Sequence, residues 1–170
     1  MNKLTIALVA GAALVATAGC TKKRPDVVPP APGPVTPTPT PGPGPGTGVV
    51  PGSAEDFRRT VVSDTIHFAL DAYDIDPESR AVLDSQADWL RQYPNVRITL
   101  EGHCDERGTR EYNLALGDRR ANAAKNYLAA RGVSPSRITT ISYGKERPIA
   151  LGSNEAAWAQ NRRAVTIVIN

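Results

Sequence analysis

Hydrophobic and polar residues alternate along Thr65-Ile66-His67-Phe68-Ala69-Leu70, the period of a half-buried strand. Asp76-Pro77-Glu78 follows as a helix start, with Asp as N-cap and Pro at the first helical position. Val82, Leu83, Ala87 and Leu90 then share one helical face, and Pro94 ends that helix. Val96, Ile98 and Leu100 alternate with Arg97, Thr99 and Glu101 as a second strand. A long helix is predicted from about Arg110 to Arg131, with Leu114, Ala121, Ala124 and Leu128 as its apolar stripe and Gly132 just past its end. Ile138 to Ser142 reads as a third strand. An irregular segment with room for a short helix separates it from a last strand, in which Val165, Ile167 and Ile169 alternate. The order β-α-β-α-β-β predicts an α+β fold, a two-layer sandwich of helices on one sheet.

Upstream of residue 54 the pattern changes. Lys3 precedes an apolar run from Leu4 to Ala18 that is too short to span a bilayer, and small residues lead to Cys20. Residues 1–19 therefore read as a secretory signal peptide. Thr17-Ala18-Gly19-Cys20 resembles the bacterial lipobox, whose cysteine becomes the lipidated first residue; Thr17 stands where an aliphatic residue is usual. Several acyl chains on Cys20 would make a durable anchor, since each buried methylene contributes roughly 0.8 kcal/mol and one chain alone holds weakly. By the same resemblance, Thr21 after the cysteine points to the outer membrane. Pro25 to Gly52 is dominated by proline and glycine, so 20–53 reads as a tether from the lipidated cysteine, reaching roughly 100 Å at about 3.1 Å per residue. The folded domain is expected over 54–170.

Composition narrows the function classes. Hydrophobic residues make up 41% of the 170 and aromatics only 5%, so aliphatic side chains and alanine must fill the core. The net charge of +3 is too small to argue for nucleic acid, and the folded part has no dense Lys/Arg block. Arg107, Arg110, Arg119, Arg120, Arg162 and Arg163 recur around one region, and most are expected on a solvated surface. Two cysteines make no disulfide framework, and Cys104 is expected as a small buried filler. No cofactor is implied. His103 and Asp105 fall on alternate positions near a strand end, but a zinc site lacks its third ligand, and no serine sits in a nucleophile elbow.

The chemistry concentrates in Gly102-His103-Cys104-Asp105-Glu106-Arg107-Gly108-Thr109, followed by Glu111-Tyr112-Asn113, Leu116-Gly117 and Arg119-Arg120-Ala121. Downstream come Ile141-Ser142-Tyr143-Gly144-Lys145-Glu146-Arg147-Pro148 and Asn161-Arg162-Arg163-Ala164-Val165. Over 62–170 this ordered set closely resembles the domain shared by the C-terminal half of outer membrane protein A, the lipoproteins of the Tol–Pal system and several stator and envelope proteins. The leader, lipobox and tether single out the lipoprotein branch.

The resemblance implies a mixed four-stranded sheet with its last strand antiparallel and inside the sheet. It also implies a ligand, the meso-diaminopimelate side chain of the peptidoglycan stem peptide, bound without catalysis. Partners implied are peptidoglycan, the outer membrane through the lipid anchor, and the Tol-system periplasmic propeller protein, in a role in envelope integrity and constriction at division. The diaminopimelate end carries an ammonium and a carboxylate on one carbon, so recognition needs an anion and a bidentate cation at fixed separation. Asp105 matches the family's ammonium-binding aspartate and Arg120 its carboxylate-binding arginine. Asp71 matches a pocket-lining loop, with Leu70 where phenylalanine is common, and Arg162 either approaches the ligand or buttresses the loop. Taken without the resemblance, Asp105 fits a loop cap and Arg120 a surface salt-bridge partner; on either reading neither is expected to be core. Two other classes stay open: a cell-wall amidase or other zinc hydrolase, and a wall spacer with no specific ligand.

Overall fold

The computed structural model describes residues 48–169. The leader, Cys20 and the tether up to residue 47 lie outside the described residues. Helix α1 (Ala54–Thr60) is followed by β1 (Thr65–His67), α2 (Pro77–Gln92), β2 (Arg97–His103) and α3 (Arg110–Ala130). A 3-10 turn at Pro135–Arg137 leads into β3 (Ile138–Gly144), then α4 (Glu155–Asn161) and β4 (Arg163–Ile169). The sheet order is β1-β4-β2-β3. β2 and β3 run parallel, while β4 lies between β1 and β2, antiparallel to both, with Ile66 opposite Ala164 and Glu101 opposite Val165. The expected two-layer α+β sandwich with its last strand inside the sheet is thus the observed fold.

Local signals explain most boundaries. The Asp76 side chain accepts from Ser79 N at 2.7 Å, and Pro77 opens α2 as predicted. The α3 N-cap is Thr109, and Gly132 (φ +92°) closes the helix: Gly132 N donates to Ala129 O and Val133 N to Leu128 O, the paired bonds of a Schellman end. β1 is shorter than its alternation predicts. Ala72 N turns back to Ala69 O and Asp71 adopts φ +52°, so Ala69 and Leu70 belong to a turn. Helix α1 had no counterpart in the sequence pattern, because Phe57 is its only buried side chain; the capping Ser53, accepting from Asp56 N at 3.2 Å, was its one signal.

Leu83, Ala87 and Leu90 of α2 and Ala121, Ala124 and Leu128 of α3 pack on Ile66, Ile98, Leu100, Ala164 and Val168. Leu114 is only half-buried; the inner face of the first turns of α3 is instead Asn113, Leu116, Gly117 and Arg120. The reason is a backbone contact. A Cβ on Gly102 would strike the Gly117 carbonyl oxygen, and one on Gly117 would strike Ser142 Oγ. Two glycines thus let α3 lie directly on β2 and β3, which brings Arg120 under the sheet's end.

Candidate functional site

The site forms where β2 runs out. After a register shift at Gly102/His103, Cys104 N donates to Gly144 O at 2.8 Å, and the chain enters the 105–109 loop. Other elements pin this loop. Asn113 Nδ2 donates to the Arg107 and Thr109 carbonyls at 2.7 and 3.0 Å, and Lys145 Nζ to those of Glu106 and Gly108 at 3.0 and 2.7 Å. Gly108 takes φ +84°. Cys104 is buried and free, its thiol donating to Asn113 O at 3.3 Å; burial pushes that thiol up, in line with a packing role.

Asp105 projects from this loop and is buried. Its Oδ1 accepts from the Arg107 backbone N and from Arg107 Nε, both at 3.1 Å, and its Oδ2 from Arg107 Nη2 at 2.6 Å and Arg162 Nη1 at 3.5 Å. Burial pushes the carboxyl up, but the hydrogen bonds from Arg107 and Arg162 together hold it below its usual value. Asp105 therefore does cap its loop, as the sequence alone suggested, while facing a cavity.

Arg120 is 0% exposed. Its Nε donates to Ala72 O at 2.9 Å, Nη1 to His103 O at 2.8 Å and Nη2 to Ala69 O at 3.1 Å, and its guanidinium carbon lies 5.1 Å from the centroid of the Phe68 ring. A surface salt-bridge partner is ruled out by this placement, as is the expectation that Arg120 lies outside the core. Three of the five N–H groups of a guanidinium are used, leaving two for another acceptor. Arg162 donates to Phe68 O at 3.0 Å and Glu155 Oε1 at 2.6 Å while touching Asp105, so it both buttresses the 68–72 turn and reaches the site.

A cavity of about 300 Å3 lies between these groups, and Asp71, Asp105, Arg120 and Arg162 all line it, with Leu70, Leu116, Tyr112 and Arg107. The structure thus brings together all four residues singled out in the sequence. It corrects the surface assignment of the arginines: Arg120, Arg162 and Arg163 are buried, whereas Arg110 and Arg119 are exposed. Sequence reasoning did not assign Arg107 to Asp105, nor Trp158 as the ring beneath it, 4.0 Å from guanidinium carbon to centroid. Their only signal was the i, i+2 spacing of opposite charges in the motif; Trp158 lies 51 positions further along the chain, and nothing local marks it. His103 points to no ligand set. Both its ring nitrogens are buried without partners, it stacks on Tyr143 at 5.5 Å, and among the described residues no three His, Cys, Asp or Glu side chains gather.

Residues 67–162 match the model of the OmpA family. A peptidoglycan-associated lipoprotein of Rhizobium meliloti is 56% identical over 118 residues, covering 69% of this chain and 66% of the relative, just under two thirds. One from Mesorhizobium japonicum is 47% identical over 166 residues, covering 97% of this chain and 90% of its own. Among solved structures, the peptidoglycan-associated lipoprotein from Burkholderia pseudomallei aligns with TM-score 0.62 at 42% identity, over 63% of this chain and 91% of that one. The C-terminal domain of Helicobacter pylori MotB, at 22% identity, TM-score 0.59 and coverage of 63% and 84%, shares the fold.

Proposed function

The chain belongs to the OmpA family, within its peptidoglycan-associated lipoproteins, and on that premise we propose that its domain binds the peptidoglycan stem peptide non-covalently through the diaminopimelate side-chain end. The observation that carries this reading is the placement of an ionised, buried Asp105 and a buried Arg120 on one cavity of about 300 Å3. Asp105 takes the ammonium. Arg120 takes the carboxylate, held rigid by three backbone carbonyls so that little freedom is lost on binding. Asp71 and Arg162 complete the wall of the cavity, Asp71 through its φ +52° turn. The domain acts as a binding module and not as an enzyme.

Around this site, Cys20 is the lipidated residue, residues 1–19 the signal peptide and 20–53 the tether that lets the domain leave the outer membrane for the wall. The Tol-system propeller protein is the proposed protein partner. None of the described helices is long and apolar enough to cross a membrane. The test is retention on purified sacculi, with free diaminopimelate as competitor. Retention that diaminopimelate reverses supports the reading. Retention that it leaves untouched makes the protein a spacer without a specific ligand, and release of soluble muropeptides would make it a hydrolase.

A further inference from the structure

The carboxylate assigned to the ligand's ammonium is already occupied. Arg107 meets Asp105 fork to fork, Nε to Oδ1 at 3.1 Å and Nη2 to Oδ2 at 2.6 Å, with its guanidinium seated on Trp158. Trp158 is itself fixed by donating Nε1–H to Glu106 Oε1 at 3.1 Å. We propose that Arg107 is a specificity-determining residue of the cavity: a resident cation that an incoming side chain displaces from Asp105 favourably only if it brings both an ammonium and a carboxylate. The inference rests on the zwitterion reading above.

Arg107 is the most exposed of the three arginines on the cavity, and the one not anchored to backbone carbonyls. Its side chain is 34% exposed, whereas that of Arg162 is 8% exposed and anchored to Phe68 O and Glu155, and Arg120 is locked on three carbonyls. Its backbone need not follow, because its N–H stays on Asp105 Oδ1 and its carbonyl on Asn113 Nδ2. When a zwitterion enters, the ammonium takes the Asp105 carboxylate and the freed guanidinium takes the ligand's carboxylate beside Arg120. One ion pair opens and three close, ammonium to Asp105 and carboxylate to both Arg107 and Arg120, and no charge is stranded. A side chain ending in an ammonium alone takes Asp105 but leaves Arg107 without a partner, in a cavity that also holds the cations Arg120 and Arg162. The same guanidinium thus penalises the wrong ligand, as an unpaired cation, and rewards the right one, as a second partner for its carboxylate.

The experiment is calorimetric titration of wild type, Arg107→Ala and Arg107→Gln with two stem tripeptides that differ only in the third residue, meso-diaminopimelate or lysine, with thermal melts to confirm folding. Both variants should narrow the preference for diaminopimelate over lysine by about tenfold or more, chiefly through tighter binding of the lysine peptide. An unchanged preference, or an equal loss for both peptides, overturns the role of Arg107 while leaving the zwitterion site standing. A wild type that binds neither peptide overturns both.

Discussion

Arg120 Nη1 donates to the His103 carbonyl oxygen at 2.8 Å, tying the middle of α3 to the last residue of β2. The same guanidinium holds Ala69 O and Ala72 O, so one side chain joins a helix, a strand end and the turn after β1. The group proposed to read the ligand is therefore also a staple of the fold around it.

Arg120→Ala should accordingly destabilise the domain, because it removes hydrogen bonds to three backbone carbonyls, of which Ala69 O keeps only its 3.3 Å bond from Ala72 N, and opens a void. An unsatisfied buried group costs about 1–3 kcal/mol, so a loss of roughly 3 kcal/mol or more is expected, read as the shift in a denaturant midpoint at constant slope. Arg120→Lys keeps the charge but not the planar fork, and should recover only part of it. A melt within about 0.5 kcal/mol of wild type for Arg120→Ala would mean that the three hydrogen bonds carry no weight.

Asp105→Ala separates recognition from folding more cleanly. Losing one charge-assisted hydrogen bond, worth roughly 1.5–3 kcal/mol, should weaken binding of a diaminopimelate peptide about tenfold or more by calorimetry. Asp105→Asn keeps the cap on the Arg107 backbone N–H and should fold nearly as well, yet bind as poorly as the alanine variant. Wild-type affinity in either folded variant would remove Asp105 from the site.

Cys20→Ser tests the anchor independently of the cavity. The variant should lose acyl mass by intact-mass measurement and leave the outer-membrane fraction, while the purified domain binds the wall peptide as before. A wild type of unlipidated mass would refute anchoring through Cys20.

How much of this was legible in the sequence depended on whether a signal is local. Asp76-Pro77, the α2 stripe, the β2 alternation and Gly132 are each read within a few residues, and each stands where expected. The exposed-looking arginines failed for the opposite reason. Arg120 and Arg162 are buried because carbonyls of the 68–72 turn, roughly 50 and 90 positions away, accept their protons, and Arg163 because its acceptors are the Asn161 and Arg147 carbonyls. Nothing in the neighbourhood of Arg120 or Arg162 says so. The resemblance supplied Asp105 and Arg120 as a pair; it carried no hint that Arg107 fills the first of them. Leu114 was assigned to the core on helical spacing, and lost its place because the Gly102–Gly117 contact rotates the inner face toward Leu116 and Arg120.

Gly102→Ala tests that contact. The added methyl would overlap the Gly117 carbonyl, backbone against backbone, and α3 must shift outward to admit it. Overpacking of this kind costs roughly 1–3 kcal/mol or more. Because Arg120 rides on α3, peptide affinity should fall together with the melting temperature. Unchanged stability would mean that the helix is free to rise from the sheet, and that its position is not what sets the site.

His103 gives the domain a dependence on pH that the binding site does not require. Its ring is buried with both nitrogens unpaired, and Glu101 Oε2, at 3.6 Å from Nε2, is beyond hydrogen-bond reach. Burial, with Arg163 and Arg147 nearby, lowers its pKa from 6.5 to about 4. The folded protein thus keeps the imidazole neutral where the unfolded chain protonates it. Between those values the unfolded state binds the extra proton, so the contribution of His103 is complete above about pH 6.5 and is lost progressively as the pH falls toward 4. At 1.36 kcal/mol per unit the full swing is roughly 3 kcal/mol. His67, also lowered chiefly by burial, acts in the same direction and is present in both proteins compared below, so the difference between them isolates His103. Urea unfolding of wild type and His103→Phe at pH 7.5, 6.5, 5.5 and 4.5 should give a wild type that weakens steadily and a variant with a much flatter profile. The variant should also lose nothing at pH 7.5, since the ring stacks on Tyr143 and its nitrogens have no partner to forfeit. Parallel profiles for the two proteins would show that His103 titrates in the folded domain as it does in the unfolded chain.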